Sequence, residues 1–250
     1  MRIVLLIAFC ISVLYCNSQK KYDSLKKYSY FIYGIVNDNR WSEATGFFIK
    51  KKNKLFLISA LHVFSGRNID HTMEMGYPNI LYLRIKNHSV TPTYFPINIS
   101  KIKDTVRDAD FYINPDVFVY EIKLLKAIKI YSIEKFIKPV PCDKAVNVIT
   151  CGYPIDQKAS KKETLVASPV LIHERVIGNY CKPIYWTDHK VNDNINYLIS
   201  ANNGIRDGSS GSPVYFIIQD KIYFAGLISV GTNENAASVV RPQNVLSKIH

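Results

Sequence analysis

Short runs of apolar residues, or of apolar residues alternating with polar ones, recur along most of the chain. Most are five to nine residues long and rich in Ile, Val, Tyr and Phe, a composition that favours β-strands. The runs lie at 30–36, 45–50, 55–61, 80–86, 116–122, 145–150, 163–172, 195–200, 213–218 and 222–230. Each run predicts a strand, because segments of this length and composition suit a pleated backbone.

Polar turn residues separate neighbouring runs and predict how the strands connect. Lys52-Asn53-Lys54 and Gln219-Asp220-Lys221 each lie between two runs, which is typical of β-hairpins. The runs form two groups, one on either side of a segment near 123–141. Two packed sheets or barrels are therefore the expected architecture.

Helical patterns are few. Residues 123–137 could form a helix or a linker that crosses between the two groups of strands. The C-terminal sequence from Pro242 predicts a short helix, because proline suits a first turn and Val245, Leu246 and Ile249 share a face. The predicted fold class is thus all-β with a short C-terminal helix.

The first residues of the chain carry the features of a secretory signal peptide. Arg2 precedes an apolar run at 3–15, and small residues follow at Cys16 and Ser18. We expect cleavage near Ser18, which removes residues 1–18. An uncleaved anchor helix is the alternative, but the run is shorter than the roughly 20 apolar residues of a bilayer span. This interpretation predicts a secreted, periplasmic or cell-surface protein with no stable membrane insertion after cleavage.

Composition and charge limit the possible partners. The chain has 250 residues, of which 48% are hydrophobic, so it can bury a core and fits one large or two small domains. Its formal net charge is +12 at pH 7, which favours anionic surfaces or acidic substrates. The lysines are spread along the chain in separate short clusters rather than one stripe among aromatic residues. We therefore expect solvated loops and no nucleic-acid binding.

Three cysteines, Cys142, Cys151 and Cys181, remain after signal cleavage. An odd number in an exported protein predicts one disulfide and one free thiol, and the sequence leaves the pairing open. None of the three has the Cys or His spacing of a zinc site, so no metal site is predicted.

The sequence Asp-Gly-Ser-Ser-Gly-Ser-Pro-Val-Tyr at 207–215 is the strongest candidate for chemistry. A serine becomes a nucleophile when it has a base, a group that orients the base and backbone N–H donors for the oxyanion. The flanking glycines permit a tight turn that points N–H groups inward. Ser210 is then the nucleophile, and the N–H groups of Gly208 and Ser210 form the oxyanion hole. Ser209 and Ser212 are its rivals.

One family of serine hydrolases, the α/β-hydrolases, places its nucleophile in a Gly-x-Ser-x-Gly turn between a strand and a helix. Here the last position is Ser212, and Pro213 and a predicted strand follow it. That family also needs a histidine after the serine, and His250 is the sole histidine after Ser210. The chain therefore does not fit this family.

Ser-Ala-Leu-His at 59–62, Asp-Val-Phe-Val-Tyr at 116–120 and Gly-Ser-Ser-Gly-Ser-Pro at 208–213 supply a histidine, an aspartate and a serine in that order. Together they resemble the motifs of the chymotrypsin/trypsin-like serine peptidases. Residues 59–62, Ser-Ala-Leu-His, follow a predicted strand and resemble the family's Ser/Thr-Ala-x-His signature. Residues 116–120, Asp-Val-Phe-Val-Tyr, are similar to the segment that carries the family's aspartate. Residues 208–213, Gly-Ser-Ser-Gly-Ser-Pro, are similar to the family's nucleophile turn. The segments at 45–49 and 226–231 resemble the strand before the histidine hairpin and the strand lining the specificity pocket.

This resemblance covers most of the chain and implies two six-stranded antiparallel β-barrels of the chymotrypsin type. Residues 1–18 would be the signal peptide, and residues 19–125 would form the N-terminal barrel that carries the histidine and the aspartate. Residues 126–250 would form the C-terminal barrel that carries the serine.

By the same resemblance, His62 takes the proton of Ser210 as its hydroxyl attacks a carbonyl, and Asp116 holds the imidazole tautomer. An acyl-enzyme forms and water releases it. The resemblance implies no cofactor and no metal. Asp108 and Asp110 are alternatives for the acid, although neither leads as directly into an apolar strand.

One departure from the family pattern bears on activation. Ser209 stands where the digestive members carry an aspartate that pairs with a newly cut N-terminus. The chain therefore looks more like bacterial-type members, such as glutamyl endopeptidases, without that activation route. The lysine-rich segment at 19–29 could still be trimmed.

The resemblance also names candidate substrate-binding residues: Gly204, Ile205, Ser229, Val230 and Gly231. Gly204 stands at the usual base of the specificity pocket and carries no charge, so we expect a neutral, small or apolar residue before the cleaved bond. The predicted function is an exported serine endopeptidase that hydrolyses proteins or peptides. The alternative is a catalytically silent protein of the same fold that binds a partner.

Overall fold

The structure is a computed structural model, and it describes ten ranges of the chain: 22–37, 40–65, 80–85, 93–98, 115–123, 128–154, 169–181, 194–202, 204–231 and 235–250. The predicted signal peptide at 1–18 lies outside these residues. Among the described residues, no helix has the length and apolarity needed to cross a membrane.

Within the described ranges the chain forms twelve β-strands and two short α-helices. The strands are β1 (Tyr30–Asn37), β2 (Arg40–Lys51), β3 (Lys54–Ser59), β4 (Ile80–Ile85), β5 (Thr93–Asn98), β6 (Phe118–Ile122), β7 (Asn147–Gly152), β8 (Val170–Arg175), β9 (Asn196–Ser200), β10 (Pro213–Ile218), β11 (Lys221–Gly231) and β12 (Ala236–Val240). The helices are α1 (His62–Ser65) and α2 (Pro242–Leu246), and 3-10 turns lie at Ser24–Tyr28, Glu134–Phe136 and Cys142–Lys144. Helix α2 is the predicted C-terminal helix.

Two six-stranded antiparallel sheets contain all of these strands. The first has the order β5-β4-β1-β2-β3-β6 and the second the order β8-β7-β10-β11-β12-β9. This arrangement confirms the predicted all-β fold of two six-stranded antiparallel barrels. Both predicted hairpins are present as two-residue turns between β2 and β3 and between β10 and β11. Lys52, Asn53, Gln219 and Asp220 have φ values of 48°, 62°, 47° and 64°, as hairpin turns of this length require.

The segment between the two sheets is a linker rather than a helix over the residues that are described. Ser132 forms an isolated β-bridge with Phe48, and a single 3-10 turn follows at Glu134–Phe136. The buried side chains of Ile133 and Phe136 join the core, which explains the apolar positions that suggested a helix. Of the two forms predicted for 123–137, the crossing linker is therefore correct where the structure describes it.

A hydrophobic core joins the two sheets. Phe47 and Ile58 from the first sheet pack with Tyr215 and Leu227 from the second, and all four are fully buried. The apolar side chains of Phe47, Ile58 and Leu227 each contribute about 1.5–3 kcal/mol through the area they remove from water. The interface therefore fixes the position of one sheet against the other, and with it the loops that each sheet carries.

The described N-terminal residues pack on the second sheet. Leu25 is fully buried in the core between the sheets, and the Ser29 hydroxyl donates a 2.7 Å hydrogen bond to the Cys151 carbonyl of β7. Trimming of the whole segment 19–29 would therefore expose the core. The assignment of 19–125 and 126–250 to separate domains stays a prediction.

The cysteines form one disulfide and leave one thiol, as predicted. Cys142 pairs with Cys181 at a Cα–Cα distance of 5.6 Å, and Cys151 is free and buried. Burial raises the pKa of the Cys151 thiol to about 12, so it is inert at neutral pH. Closing a loop between cysteines 39 residues apart in sequence is expected to stabilise the folded chain by about 4 kcal/mol.

Candidate active site

His62 begins helix α1, three residues after β3 ends at Ser59. Strand β3 pairs with β2 on one side and β6 on the other, and its last four residues are buried. The end of a central strand is a rigid support, so the position of the His62 backbone is well defined. The His62 side chain is 17% exposed and can meet a substrate.

Asp116 lies two residues before β6, the strand that pairs with β3. The register places Phe118 opposite Ser59, so the residues flanking this pair come together at one end of the sheet. Asp116 is 4% exposed and accepts three hydrogen bonds. The His62 backbone N–H donates to Oδ1 at 2.8 Å, His62 Nδ1 lies 2.8 Å from Oδ2, and the Ser229 hydroxyl donates to Oδ2 at 2.6 Å.

These contacts determine the charge of Asp116 and the tautomer of His62. Burial by itself would raise the pKa of the Asp116 carboxyl, but the His62 ring and backbone N–H and the Ser229 hydroxyl together lower it. The carboxylate is therefore ionised at neutral pH and can only accept hydrogen bonds. Since His62 Nδ1 faces this carboxylate, Nδ1 is the nitrogen that carries the proton in the neutral ring, and that tautomer places the lone pair on Nε2, as a general base requires.

The nucleophile turn is built from backbone hydrogen bonds and two glycines in the left-handed region. Gly208 and Gly211 both have φ of 82°. The N–H groups of Ser209, Gly211 and Ser212 donate to Arg206, Ile228 and Ser209 carbonyls at 2.7–2.9 Å. The N–H groups of Gly208 and Ser210 donate to no described residue. The two predicted oxyanion donors are thus the ones that the turn leaves available.

Exposure distinguishes the three serines of the turn. Ser209 is 1% exposed and Ser212 is fully buried, whereas Ser210 is half-buried. The Ser209 hydroxyl accepts a hydrogen bond from the Arg206 N–H at 3.2 Å, which closes the turn locally. Only Ser210 among them combines exposure with the flanking donors, which favours it over its rivals.

Gly211 brings the turn against the segment that leads to His62. A Cβ atom added at Gly211 would clash with the Thr45 carbonyl and the Ser59 hydroxyl and would lie 2.9 Å from the Ala60 nitrogen. The Thr45 N–H also donates to the Ser210 carbonyl at 2.9 Å. This close approach connects the Ser210 turn of the second sheet to the His62 segment of the first.

The five predicted substrate-binding residues lie on two segments of the second sheet. Gly204 has φ of 112° and faces open space, and Ile205 packs against the core of the second sheet. Ser229, Val230 and Gly231 lie at the end of β11. The Ser229 hydroxyl is occupied by Asp116, so its side chain supports the acid. The substrate-binding roles of all five stay predictions.

Sequence reasoning did not identify two residues that shape the site. It assigned Ser229 to substrate binding and did not find its bond to Asp116, and it gave Thr45 no role. One signal was present, since a hydroxyl within an apolar strand must find a partner when it is buried. The described residues contain no group of three or more His, Cys, Asp or Glu side chains that could hold a metal ion.

The fold has counterparts among solved structures. The Rv3671c protease of M. tuberculosis matches with a TM-score of 0.54 at 13% identity, covering 92% of this chain and 90% of that one. The thermostable serine protease AL20 from an extremophilic microorganism matches with a TM-score of 0.55 at 11% identity, covering 89% and 94%. The protease Anisep from Arthrobacter nicotinovorans matches with a TM-score of 0.52 at 13% identity, covering 86% and 90%. No protein-family model and no curated protein sequence matches the chain.

Proposed function

We propose that this chain, which has the fold of the trypsin-like serine proteases, is an exported serine endopeptidase. Ser210 is the nucleophile, His62 the general base and Asp116 the group that orients the base. The N–H groups of Gly208 and Ser210 bind the oxyanion.

The buried carboxylate of Asp116 is the observation that supports this function best. Burying a charge is costly, and an apolar residue at this place would stabilise a purely structural protein at least as well. Asp116 instead accepts two hydrogen bonds from His62 and one from Ser229. Their combined effect is to hold one imidazole tautomer, which serves acid–base chemistry.

The reaction proceeds in two halves through an acyl-enzyme. His62 Nε2 takes the proton of the Ser210 hydroxyl as its oxygen attacks the carbonyl carbon of the peptide bond. The negative charge that forms on the carbonyl oxygen is stabilised by the two N–H donors, each worth about 2.7–4 kcal/mol in comparable sites. The imidazolium then gives its proton to the leaving amine, and water releases the acyl group by the same route in reverse.

The expected substrates are peptide bonds that follow a neutral, small or apolar residue. Gly204 faces open space and contributes no charge to the predicted pocket. Export rests on the predicted signal peptide at 1–18, and it places the substrates outside the cell membrane.

Labelling with a fluorophosphonate probe tests this function, with the modified residue located by mass spectrometry. We expect stoichiometric labelling of Ser210 and its loss in Ser210→Ala. Ser212→Ala is the matched control, because the buried Ser212 hydroxyl has no hydrogen-bond partner among the described residues and its removal should preserve labelling. Correctly folded wild-type protein that takes up no probe would overturn the proposal and leave a silent protein that binds a partner through the same fold.

A further inference from the structure

We infer that Thr45 is a positioning residue that holds the oxyanion-binding turn in its active shape. The inference deepens the proposed peptidase function and rests on it. Thr45 lies on β2 of the first sheet, is fully buried and contacts the turn of the second sheet. A residue on the first sheet can therefore hold the backbone of the second sheet in one position.

Thr45 makes its hydrogen bonds with both the backbone and the side chain. Its N–H donates to the Ser210 carbonyl at 2.9 Å, and its hydroxyl donates to the Gly208 carbonyl at 2.9 Å. The same hydroxyl accepts a bond from the Tyr153 N–H at 3.0 Å, and the Thr45 carbonyl accepts one from the Ser59 hydroxyl at 2.7 Å. The buried Thr45 hydroxyl thus acts as both a donor and an acceptor, so its hydrogen-bonding needs are met.

These bonds fix two peptide units of the turn. Each of them directly follows a peptide whose N–H is a predicted oxyanion donor. The peptide between Gly208 and Ser209 has its carbonyl on the Thr45 hydroxyl and its N–H on the Arg206 carbonyl. The peptide between Ser210 and Gly211 has its carbonyl on the Thr45 N–H and its N–H on the Ile228 carbonyl. Each of these units is held at both ends and cannot rotate.

The orientation of the free N–H groups follows from these anchors. Gly208 has φ of 82°. Because glycine has no Cβ atom, its backbone can leave this conformation for others at little cost in free energy. Without the Thr45 hydroxyl, the peptide after Gly208 keeps one anchor and can turn, which would redirect the neighbouring N–H groups. Oxyanion stabilisation depends on donors that already point at the developing charge.

The space around the hydroxyl limits which residues can serve. A Cβ atom at Gly152 would lie 3.2 Å from the Thr45 hydroxyl oxygen, so the side chain has close neighbours on the second sheet. Valine has the shape of threonine but would leave the Gly208 carbonyl and the Tyr153 N–H without their partner in a buried site. Serine would keep the hydroxyl and lose only a methyl group.

Three variants separate the role of the hydroxyl from that of packing: Thr45→Val, Thr45→Ser and Thr45→Ala. We expect Thr45→Val to lower kcat for a peptide substrate by about 10²-fold, near the loss from removing one oxyanion donor, with little change in KM. Thr45→Ser should restore most of kcat. Thr45→Ser and Thr45→Ala differ only in the hydroxyl, so their ratio of kcat carries the test if the valine variant does not fold.

The outcomes distinguish this inference from the proposed function. Absence of wild-type hydrolysis overturns both. Wild-type hydrolysis with unchanged kcat in Thr45→Val, or with equal loss in Thr45→Ser and Thr45→Ala, overturns the role of Thr45 and leaves the peptidase function intact. A rise in KM that accounts for the whole loss of kcat/KM would also contradict it, because the hydroxyl is inferred to act only as charge develops.

Discussion

The two halves of the candidate site are held in place by different forces. The acid–base half consists of His62 and Asp116, and it depends on side-chain hydrogen bonds to one buried carboxylate. The nucleophile half is the turn around Ser210, and it depends on backbone hydrogen bonds, on the Thr45 hydroxyl and on two glycines in the left-handed region. The geometry of the acid–base half therefore depends on a buried charge, and that of the nucleophile half depends on the backbone conformation of the turn.

This difference decides which changes each half tolerates. In the acid–base half, an isosteric substitution that removes the charge of Asp116 should lower kcat, and the contribution of this half to the free energy of unfolding should depend on pH. The nucleophile half should respond to a single added methyl group, because Gly211 has no space for one.

Replacing Asp116 by Asn removes the charge and keeps the shape. An amide can present an N–H to the ring, which favours the wrong imidazole tautomer. We expect kcat to fall by about 10⁴-fold, as in a well-characterised Ser-His-Asp triad, while circular dichroism shows an unchanged fold. Asp110→Asn is the matched control, since Asp110 is an alternative acid in the sequence. Full activity in Asp116→Asn with loss in Asp110→Asn would assign the acid to the other residue.

Replacing Gly211 by Ala adds one methyl group to the nucleophile half. The left-handed φ and the overlap with Thr45 and Ser59 together should lower the free energy of unfolding by about 3–5 kcal/mol. Gly204→Ala is the matched control. Its φ of 112° carries strain, but the added atom meets no described residue within 4 Å, so about 1–3 kcal/mol is expected. Denaturant unfolding measures both, and equal losses would mean that the close approach of the two sheets is unimportant.

Replacing Ser229 by Ala removes one of the three hydrogen bonds to Asp116. A hydrogen bond to a charged group contributes about 1.5–3 kcal/mol, so a loss of that size is expected in the free energy of unfolding at pH 7. The folded pKa of Asp116 is lowered, so its contribution to stability is present above the unfolded value, about 3.9, and disappears as the pH falls through the folded value.

The unfolded pKa is common to both proteins, so the difference between wild type and Ser229→Ala should stay constant near pH 4 and shrink only as the pH falls through the lowered folded pKa values of Asp116, where the carboxyl becomes protonated in both folded proteins. Denaturant unfolding over a series of pH values measures it. A difference that stays constant down to the acid limit would show that Ser229 acts by packing and that the charge of Asp116 is not involved.

Local pattern was sufficient for much of the fold. The ten predicted runs all overlap strands, because their residue types and turn signals act locally. Strands β5 (Thr93–Asn98) and β12 (Ala236–Val240) were not predicted. Pro96 interrupts β5, which buries only Ile97, and β12 begins with two alanines, so neither segment is a continuous run of strand-favouring residues.

The site itself was predicted from the order of motifs rather than from periodicity. His62 and Asp116 lie 54 residues apart and meet through the pairing of β3 with β6, which no local pattern specifies. The contacts of Ser229 and Thr45 depend on how two sheets approach each other. Such contacts arise from tertiary packing, so the sequence can indicate that a buried hydroxyl needs a partner but cannot identify that partner.

The central claim is that His62 on the first sheet and Ser210 on the second act as one catalytic unit. The most direct test compares kcat for the best substrate of a peptide library among the wild type, His62→Ala, Ser210→Ala and the double variant. Residues that act as a unit are strongly non-additive, so each single change should lower kcat by about 10⁶-fold and the double change should lower it no further. Losses that multiply in the double variant, or substantial activity in either single variant, would contradict the account.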